Sequence, residues 1–236
     1  MKETISLTNW DKKESKLVGT ERQILVDSGL DNYETYVHLH QKIHPFNPSS
    51  ECWNPPPNGF LKLNFDGASK GNHGKAGYGF ILCNHRGKML GFGYGFLGID
   101  SNNATKIEGL IQWLEWVLEN FHKPIIEEGD SQLVILLASK LHNGSQSTKV
   151  SSSWHLESRI AALRTGLIKG NAVSFTHVCQ NGNKVANHLA NMGVGTCQPL
   201  RTRDWHLLPN MIARSLCQDL ITSNCTSFQM VGQNNY

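Results

Sequence analysis

The sequence predicts an α/β fold: a five-stranded mixed sheet that opens with three antiparallel strands and is flanked by helices. Three apolar-alternating segments follow one another between residues 61 and 97, which indicates a meander of strands. After residue 100, helical and strand-like patterns alternate, which is typical of crossover connections. A composition of 39% hydrophobic and 17% charged residues over 236 residues is that of a folded globular domain.

The first three strands are marked by a period of two and by a short turn. Residues 61–65 read Leu-Lys-Leu-Asn-Phe, as in a half-buried strand. The next two predicted strands, Gly77–Asn84 and Lys88–Leu97, form a hairpin around 85–87. Glycines at 91, 93 and 95 leave one face of the third strand almost bare. That face serves either for flat packing or for the close approach of a ligand.

A long amphipathic helix follows over Ala104–Phe121, with Asn102 or Asn103 as its expected N-cap and Pro124 after its end. A short buried strand at 125–127 then leads into Gly129-Asp130. The remaining predicted elements are helices over 133–140 and 154–168, a strand over 172–178 and a last helix over 183–192.

The predicted domain covers residues 54–195. Residues 1–53 form an N-terminal extension and linker. The three prolines that follow at 55–57 make the entry into the domain stiff and extended, because proline cannot enter a helix or a central strand. Residues 196–236 form a C-terminal tail with one expected helix over 207–221 and a partly disordered end.

Bulk properties narrow the class of protein. The six cysteines show no zinc-type spacing, which favours a reduced compartment. No apolar run approaches the length of a membrane span or of a signal peptide. We therefore expect a soluble, intracellular protein without a membrane partner. A net charge of +3 permits nucleic-acid binding without indicating it. The oligomeric state, and a nuclear as against a cytoplasmic location, stay open.

Two aspartates stand at predicted strand ends. Asp66 lies in Asn-Phe-Asp-Gly-Ala-Ser, before a glycine-rich turn. Asp130 lies in Glu-Gly-Asp-Ser-Gln, where it can also cap the next helix. Further on, His177 is followed by Asn183 at the sixth step and Asn187 at the tenth.

These motifs, in this order over about residues 53–195, resemble the ribonuclease H type 1 family, in particular the reverse-transcriptase-like domains of plants and retroelements. The resemblance implies hydrolysis of the RNA strand of an RNA/DNA hybrid with two Mg²⁺ or Mn²⁺ ions. It implies Asp66 and Asp130 as metal ligands and His177 as an aid to proton transfer. It also implies five contacts with nucleic acid: Ser69, Asn72, Asn102, Asn103 and Gln132.

Two of the four expected carboxylates are absent. The family's Asn-Asn-x-x-Glu frame falls on residues 102–106 and puts Lys106 at the glutamate position, while Asn187 stands at the last aspartate position. Glu108 does not replace the glutamate, because two residues along a helix rotate a side chain by about 200°. We expect the Lys106 ammonium to pair with Asp66 and Asp130 and to compete with Mg²⁺.

The sequence thus predicts an RNase H-like nucleic-acid-binding domain, a pseudoenzyme whose cleavage is weak or lost and which needs no cofactor. One alternative is an active RNA/DNA hybrid endonuclease that uses Mg²⁺ or Mn²⁺. Another is a protein-interaction module that uses the bare glycine face and the helix bearing Trp113 and Trp116.

Overall fold

A computed structural model describes residues 53–144, 154–169 and 172–219. Most of the predicted N-terminal extension, the segment 145–153 and the end of the predicted tail lie outside these ranges. The chain divides into two compact units, of which Ser49–Trp205 contains the sheet. In the other unit, a helix covers 210–219, within the predicted 207–221, and buries Ile212, Ala213, Leu216 and Cys217.

The sheet has the mixed topology that the sequence predicts. Its strands are β1 (Leu61–Ser69), β2 (Gly74–Asn84), β3 (Met89–Asp100), β4 (Ile125–Gly129), β5 (Ala172–His177) and β6 (Leu200–Thr202). Their order is β5-β4-β1-β2-β3-β6. Strand β2 is antiparallel to β1 and β3, whereas β4 is parallel to β1 and β5 is parallel to β4.

The predicted fold is confirmed, but the predicted count of five strands is wrong. The sixth strand, β6, pairs antiparallel with β3 at the edge of the sheet. A segment of three residues is too short to show an alternating pattern, so the sequence does not mark β6 as a strand. It becomes one by pairing with the open edge of β3. The sheet therefore includes residues beyond 195, the predicted end of the domain.

The described residues of this unit form four α-helices: α1 (Asn102–Asn120), α2 (Gln132–His142), α3 (Trp154–Lys169) and α4 (Lys184–Gly195). The predicted caps are wrong for α1 and α2. Ser101 accepts a hydrogen bond from the Ala104 amide, and Ser131 accepts one from the Val134 amide. Each serine is the last extended residue before its helix, which is the N-cap position. Both Asn102 and Asp130 are thus free of a capping role.

The two faces of the sheet pack differently. Residues Leu63 and Phe65 of β1 join the core with α1, which also buries Trp113 completely. Alternate residues of β2 point to the opposite face, where α4 lies. A Cβ atom on Gly79 would come within 2.3 Å of the Ala190 backbone nitrogen, and one on Gly77 within 2.3 Å of that of Val194. Helix α4 therefore rests directly on the backbone of β2.

The bare face of β3 is used for packing. A Cβ on Gly91, Gly93 or Gly95 would lie 2.3–2.6 Å from the ring of Trp116, Phe80 or Tyr78, respectively. Trp116 is half-buried and packs against Phe80 and the fully buried Trp113. Gly91 and Trp116, one from each of the two features suggested for protein interaction, therefore pack against each other.

Gly79→Ala tests the close packing of α4. The added methyl group would overlap backbone atoms of Ala190 and Leu189, so we expect the free energy of unfolding to fall by about 2–3 kcal/mol. Gly195→Ala is the matched control, because a Cβ there meets nothing within 4 Å. Urea unfolding measures both, and equal effects of the two substitutions would contradict this packing.

Glu127 is a carboxyl group inside the core. It is 1% exposed, and its Oε2 accepts no hydrogen bond from the described residues. Burial raises the pKa of Glu127 from 4.5 to about 8, and the Trp113 indole opposes the shift. Glu127 is therefore mostly protonated in the folded domain at neutral pH.

Glu127→Gln tests this protonation. Between pH 4.5 and 8 the folded state binds a proton that the unfolded state has lost. The free energy of unfolding therefore falls as the pH rises, by up to about 1.4 kcal/mol per pH unit. The glutamine does not titrate, and we expect the variant to lose most of this dependence in urea unfolding at pH 5, 7 and 9. Glu119→Gln, at an exposed position, is the control. An unchanged pH slope in Glu127→Gln would refute the assignment.

Candidate functional site

The predicted site residues meet at one edge of the sheet. Strands β1, β3, β4 and β5 all run in the same direction, because β1 and β3 are both antiparallel to β2. Their carboxyl ends therefore share an edge, which also holds the starts of α1, α2 and α4. The residues at this edge are Asp66, Ser69, Asn72, Asn102, Asn103, Lys106, Asp130, Gln132, His177 and Asn187.

Asp66 is the most deeply buried of them, at 1% exposure. Its Oδ1 accepts a hydrogen bond from the Gly67 amide at 2.8 Å and lies 3.0 Å from the Lys106 Nζ. Its Oδ2 accepts a hydrogen bond from the Asn187 Nδ2 at 2.9 Å. Both oxygens of Asp66 are therefore occupied by donors from the same chain.

Lys106 bridges the two aspartates, as the sequence hypothesis expects. Its Nζ lies 2.5 Å from the Asp130 Oδ1 in addition to its contact with Asp66. Helix α1 comes close enough for this because Gly67 has no side chain: a Cβ there would lie 2.4 Å from the Lys106 backbone nitrogen. A Cβ on Gly109, about one turn later, would lie 3.0 Å from the Asp66 carbonyl oxygen.

The charges of this cluster depend on burial and on one another. Burial raises the pKa of Asp66, the Lys106 ammonium lowers it, and Asp130 raises it; the net direction is upward. Burial alone would lower the pKa of Lys106, but the two carboxylates outweigh it and hold that pKa above its ordinary value. Lys106 therefore carries a positive charge at neutral pH.

Asn187 and His177 contact the two aspartates in different ways. The Asn187 Oδ1 accepts a hydrogen bond from Asn191, so its Nδ2 is the atom that faces Asp66. His177 is exposed, and its Nε2 lies 3.2 Å from the backbone oxygen of Asp130, not from the carboxylate. Asn187 thus acts as a hydrogen-bond donor toward Asp66.

Three of the residues that the resemblance assigns to nucleic-acid contacts hold one another in place. The Ser69 amide donates to the Asn102 Oδ1, and the Asn102 amide donates to the Asn72 Oδ1, each at 3.1 Å. The Ser69 hydroxyl donates to the Asp100 carbonyl oxygen. Asn103 and Gln132 are exposed at the starts of α1 and α2. The amide oxygens of Asn72 and Asn102 already accept backbone hydrogen bonds, so their NH₂ groups remain as donors.

The cluster does not fit a divalent metal ion. Mg²⁺ requires oxygen ligands, whereas Asp66 faces an ammonium and an amide NH₂ group. Glu108 is directed elsewhere: its Oε2 pairs with the Arg159 Nε at 3.1 Å. Within residues 53–144, 154–169 and 172–219, no group of three or more His, Cys, Asp or Glu residues is arranged to hold a metal ion.

The sequence interpretation missed a second set of polar residues, which lies next to this cluster and further from the carboxyl ends of the strands. We call Trp53, Lys62, Asn64, Glu128 and Asn183 the polar layer. The side chains of Lys62, Asn64, Glu128 and Asn183 are buried and hydrogen-bonded. A signal was present, because polar residues recur at a spacing of two: at 62, 64 and 66 on β1, and at 128 and 130, near the end of β4 and just after it. In the described part of the chain, no helix is both long and apolar enough to cross a membrane.

Comparisons with known proteins agree with the fold. A family model described as reverse transcriptase-like matches residues 64–193. Ribonuclease HI of Halobacterium salinarum is 33% identical over 137 residues, which cover 58% of this chain and 65% of the relative. A putative ribonuclease H protein of Arabidopsis thaliana is 29% identical over 174 residues, 72% of this chain and 26% of the relative.

A solved structure is similar as well. The crystal structure of RNase H1 from Halobacterium salinarum superposes with a TM-score of 0.50 at 31% identity, over 58% of this chain and 98% of that one. The chain spans less than two thirds of the length of the two curated relatives. Because the family model covers more than half of the sequence, the chain belongs to the reverse transcriptase-like family, and its sheet unit is an RNase H-like domain related to RNase H1.

Proposed function

We propose that this domain binds RNA/DNA hybrid at the carboxyl edge of its sheet and cleaves it weakly or not at all. The observation that carries the proposal is the position of the Lys106 Nζ, 3.0 Å from Asp66 and 2.5 Å from Asp130. The ammonium is part of the chain, so a metal ion has to displace it to reach either carboxylate. At these distances the attraction between opposite charges with little access to water is strong.

Asn187 also disfavours the binding of a metal ion at Asp66. In place of a carboxylate, a neutral amide donates a hydrogen bond to the Asp66 Oδ2. To bind a cation, Asn187 would have to turn its oxygen toward the site and give up its bond with Asn191. Two of the four positions that the family uses for carboxylates therefore disfavour two-metal phosphodiester hydrolysis.

The binding part of the proposal rests on the exposed polar groups around the cluster. Asn103 and Gln132 are exposed at this edge, and the NH₂ groups of Asn72 and Asn102 remain as donors. Such donors suit the phosphate, ribose and base acceptors of a nucleic acid. This surface does not depend on the carboxylates and is retained without cleavage.

Restoring both carboxylates tests the loss of cleavage. We expect Lys106→Glu with Asn187→Asp to cleave an RNA/DNA hybrid in Mg²⁺ or Mn²⁺ on the order of a hundredfold faster than the unmodified chain, since metal ions stabilise the transition state by several kcal/mol. Lys140→Glu with Asn143→Asp makes the same charge change at exposed positions, in the last turn of α2 and at its C-cap, and is the control. Strong metal-dependent cleavage by the unmodified chain would show that the domain is an active ribonuclease.

Binding is tested separately by fluorescence anisotropy with a labelled hybrid. We expect Mg²⁺ not to raise the affinity above its value in EDTA, because no carboxylate needs an ion before the hybrid can bind, and we expect the affinity to fall with rising salt. Asn103→Ala with Gln132→Ala should weaken binding by about tenfold, corresponding to the loss of one or two hydrogen bonds. Gln198→Ala is the control at another exposed position. Hybrid binding that is undetectable at low salt would overturn the proposal.

A further inference from the structure

The polar layer lies on the same elements as the candidate site. Lys62 and Asn64 precede Asp66 on one face of β1, and Glu128, in β4, precedes Asp130, which directly follows the end of that strand. Asn183 stands one helical turn before Asn187, at the start of α4. The nearest polar-layer residue therefore precedes the site residue by two positions along each of the two strands, and by one helical turn at the start of α4.

A chain of hydrogen bonds runs through this layer from the linker to α4. The Trp53 Nε1 donates to the Asn64 Oδ1 at 2.7 Å. The Asn64 Nδ2 donates to the Asn183 Oδ1 at 3.3 Å and to the Glu128 Oε2 at 3.2 Å. The Asn183 Nδ2 donates to the Phe65 carbonyl oxygen at 2.9 Å, next to Asp66. Both ends of the Asn64 and Asn183 amides are therefore used, which fixes their orientation.

The charged members of the layer are held by the same segment. The Lys62 Nζ lies 2.6 Å from the Glu128 Oε1 and donates to the Asn54 carbonyl oxygen at 2.7 Å. It also lies 5.7 Å from the centre of the Trp53 ring. Lys62 and Glu128 are 8% and 6% exposed, so neither charge is well solvated and each depends on these partners. Trp53 and Asn54 thus close the layer on the side of the linker.

We propose that the polar layer positions α4 over β1, so that the Asn187 Nδ2 reaches the Asp66 Oδ2, and that Trp53 is a positioning residue for the site. The Asn183 side chain makes no capping hydrogen bond to α4, so its bonds to Asn64 and Phe65 fix the start of that helix to β1. The bond between Asn187 and Asp66, at 2.9 Å, tolerates little displacement of that helix. The inference concerns the geometry of the site and does not depend on hybrid binding.

Trp53→Phe in the full-length chain tests the proposal, because it removes the indole N–H and keeps an aromatic ring. The probe is the side-chain amide signal of Asn187 in NMR spectra of asparagine-labelled protein. We expect this signal to move toward the position of an exposed asparagine and its amide protons to exchange about tenfold faster, as for the loss of one hydrogen bond. Asn183→Ala breaks the last link of the same chain and should give the same result. If Trp53→Phe does not fold, the Asn187 signal in Asn183→Ala decides whether the proposal stands.

Trp116→Phe is the matched control. It makes the same substitution at a half-buried tryptophan of α1 that lies outside the polar layer. Thermal unfolding midpoints show whether the two variants lose comparable stability. A shifted Asn187 signal in Trp53→Phe together with an unchanged one in Trp116→Phe supports positioning. An unchanged signal in Trp53→Phe, or an equal shift in both variants at equal loss of stability, overturns it.

Discussion

The ion pairs that join Lys106 to Asp66 and Asp130 are the interaction on which the candidate site depends. Parallel pairing of β1 with β4 brings two carboxylates to adjacent strand ends, and one of them is almost completely buried. Two such groups repel each other and lose solvation, so a nearby cation is required. Lys106 supplies that charge from the first turns of α1. Lys106 therefore offsets one of the two negative charges of the cluster from within the chain itself.

Close contact between helices and sheet makes this arrangement possible. Gly67 lets α1 lie against the end of β1, so that a lysine side chain reaches both aspartates. On the other face, Gly77 and Gly79 let α4 rest on β2, which brings Asn187 within hydrogen-bond distance of Asp66. Side chains at these glycines would separate the layers by more than a hydrogen bond can tolerate. The small residues and the polar cluster are thus parts of one arrangement.

Membership of the reverse transcriptase-like family does not by itself assign an activity, because fold and site can diverge separately. In this chain the scaffold and the exposed polar groups at the edge of the sheet are present, while the groups nearest Asp66 are hydrogen-bond donors. A metal-dependent nuclease needs acceptors at those points. The scaffold is retained while the groups at its centre differ, and this contrast is the physical reason for proposing that the domain binds nucleic acid without efficient cleavage.

The sequence by itself determined the order of five strands, the helices that alternate with the last two of them and the positions of Asp66, Lys106 and Asp130, because periodicity and motif spacing are local properties. Only the tertiary structure decided that β6 completes the sheet, that serines cap α1 and α2, and that Asn187 donates to Asp66. It also revealed the polar layer, in which Asn64 bonds to Glu128 and Asn183, 64 and 119 residues away. Such pairings depend on distances between elements remote in sequence, and no local pattern encodes those distances.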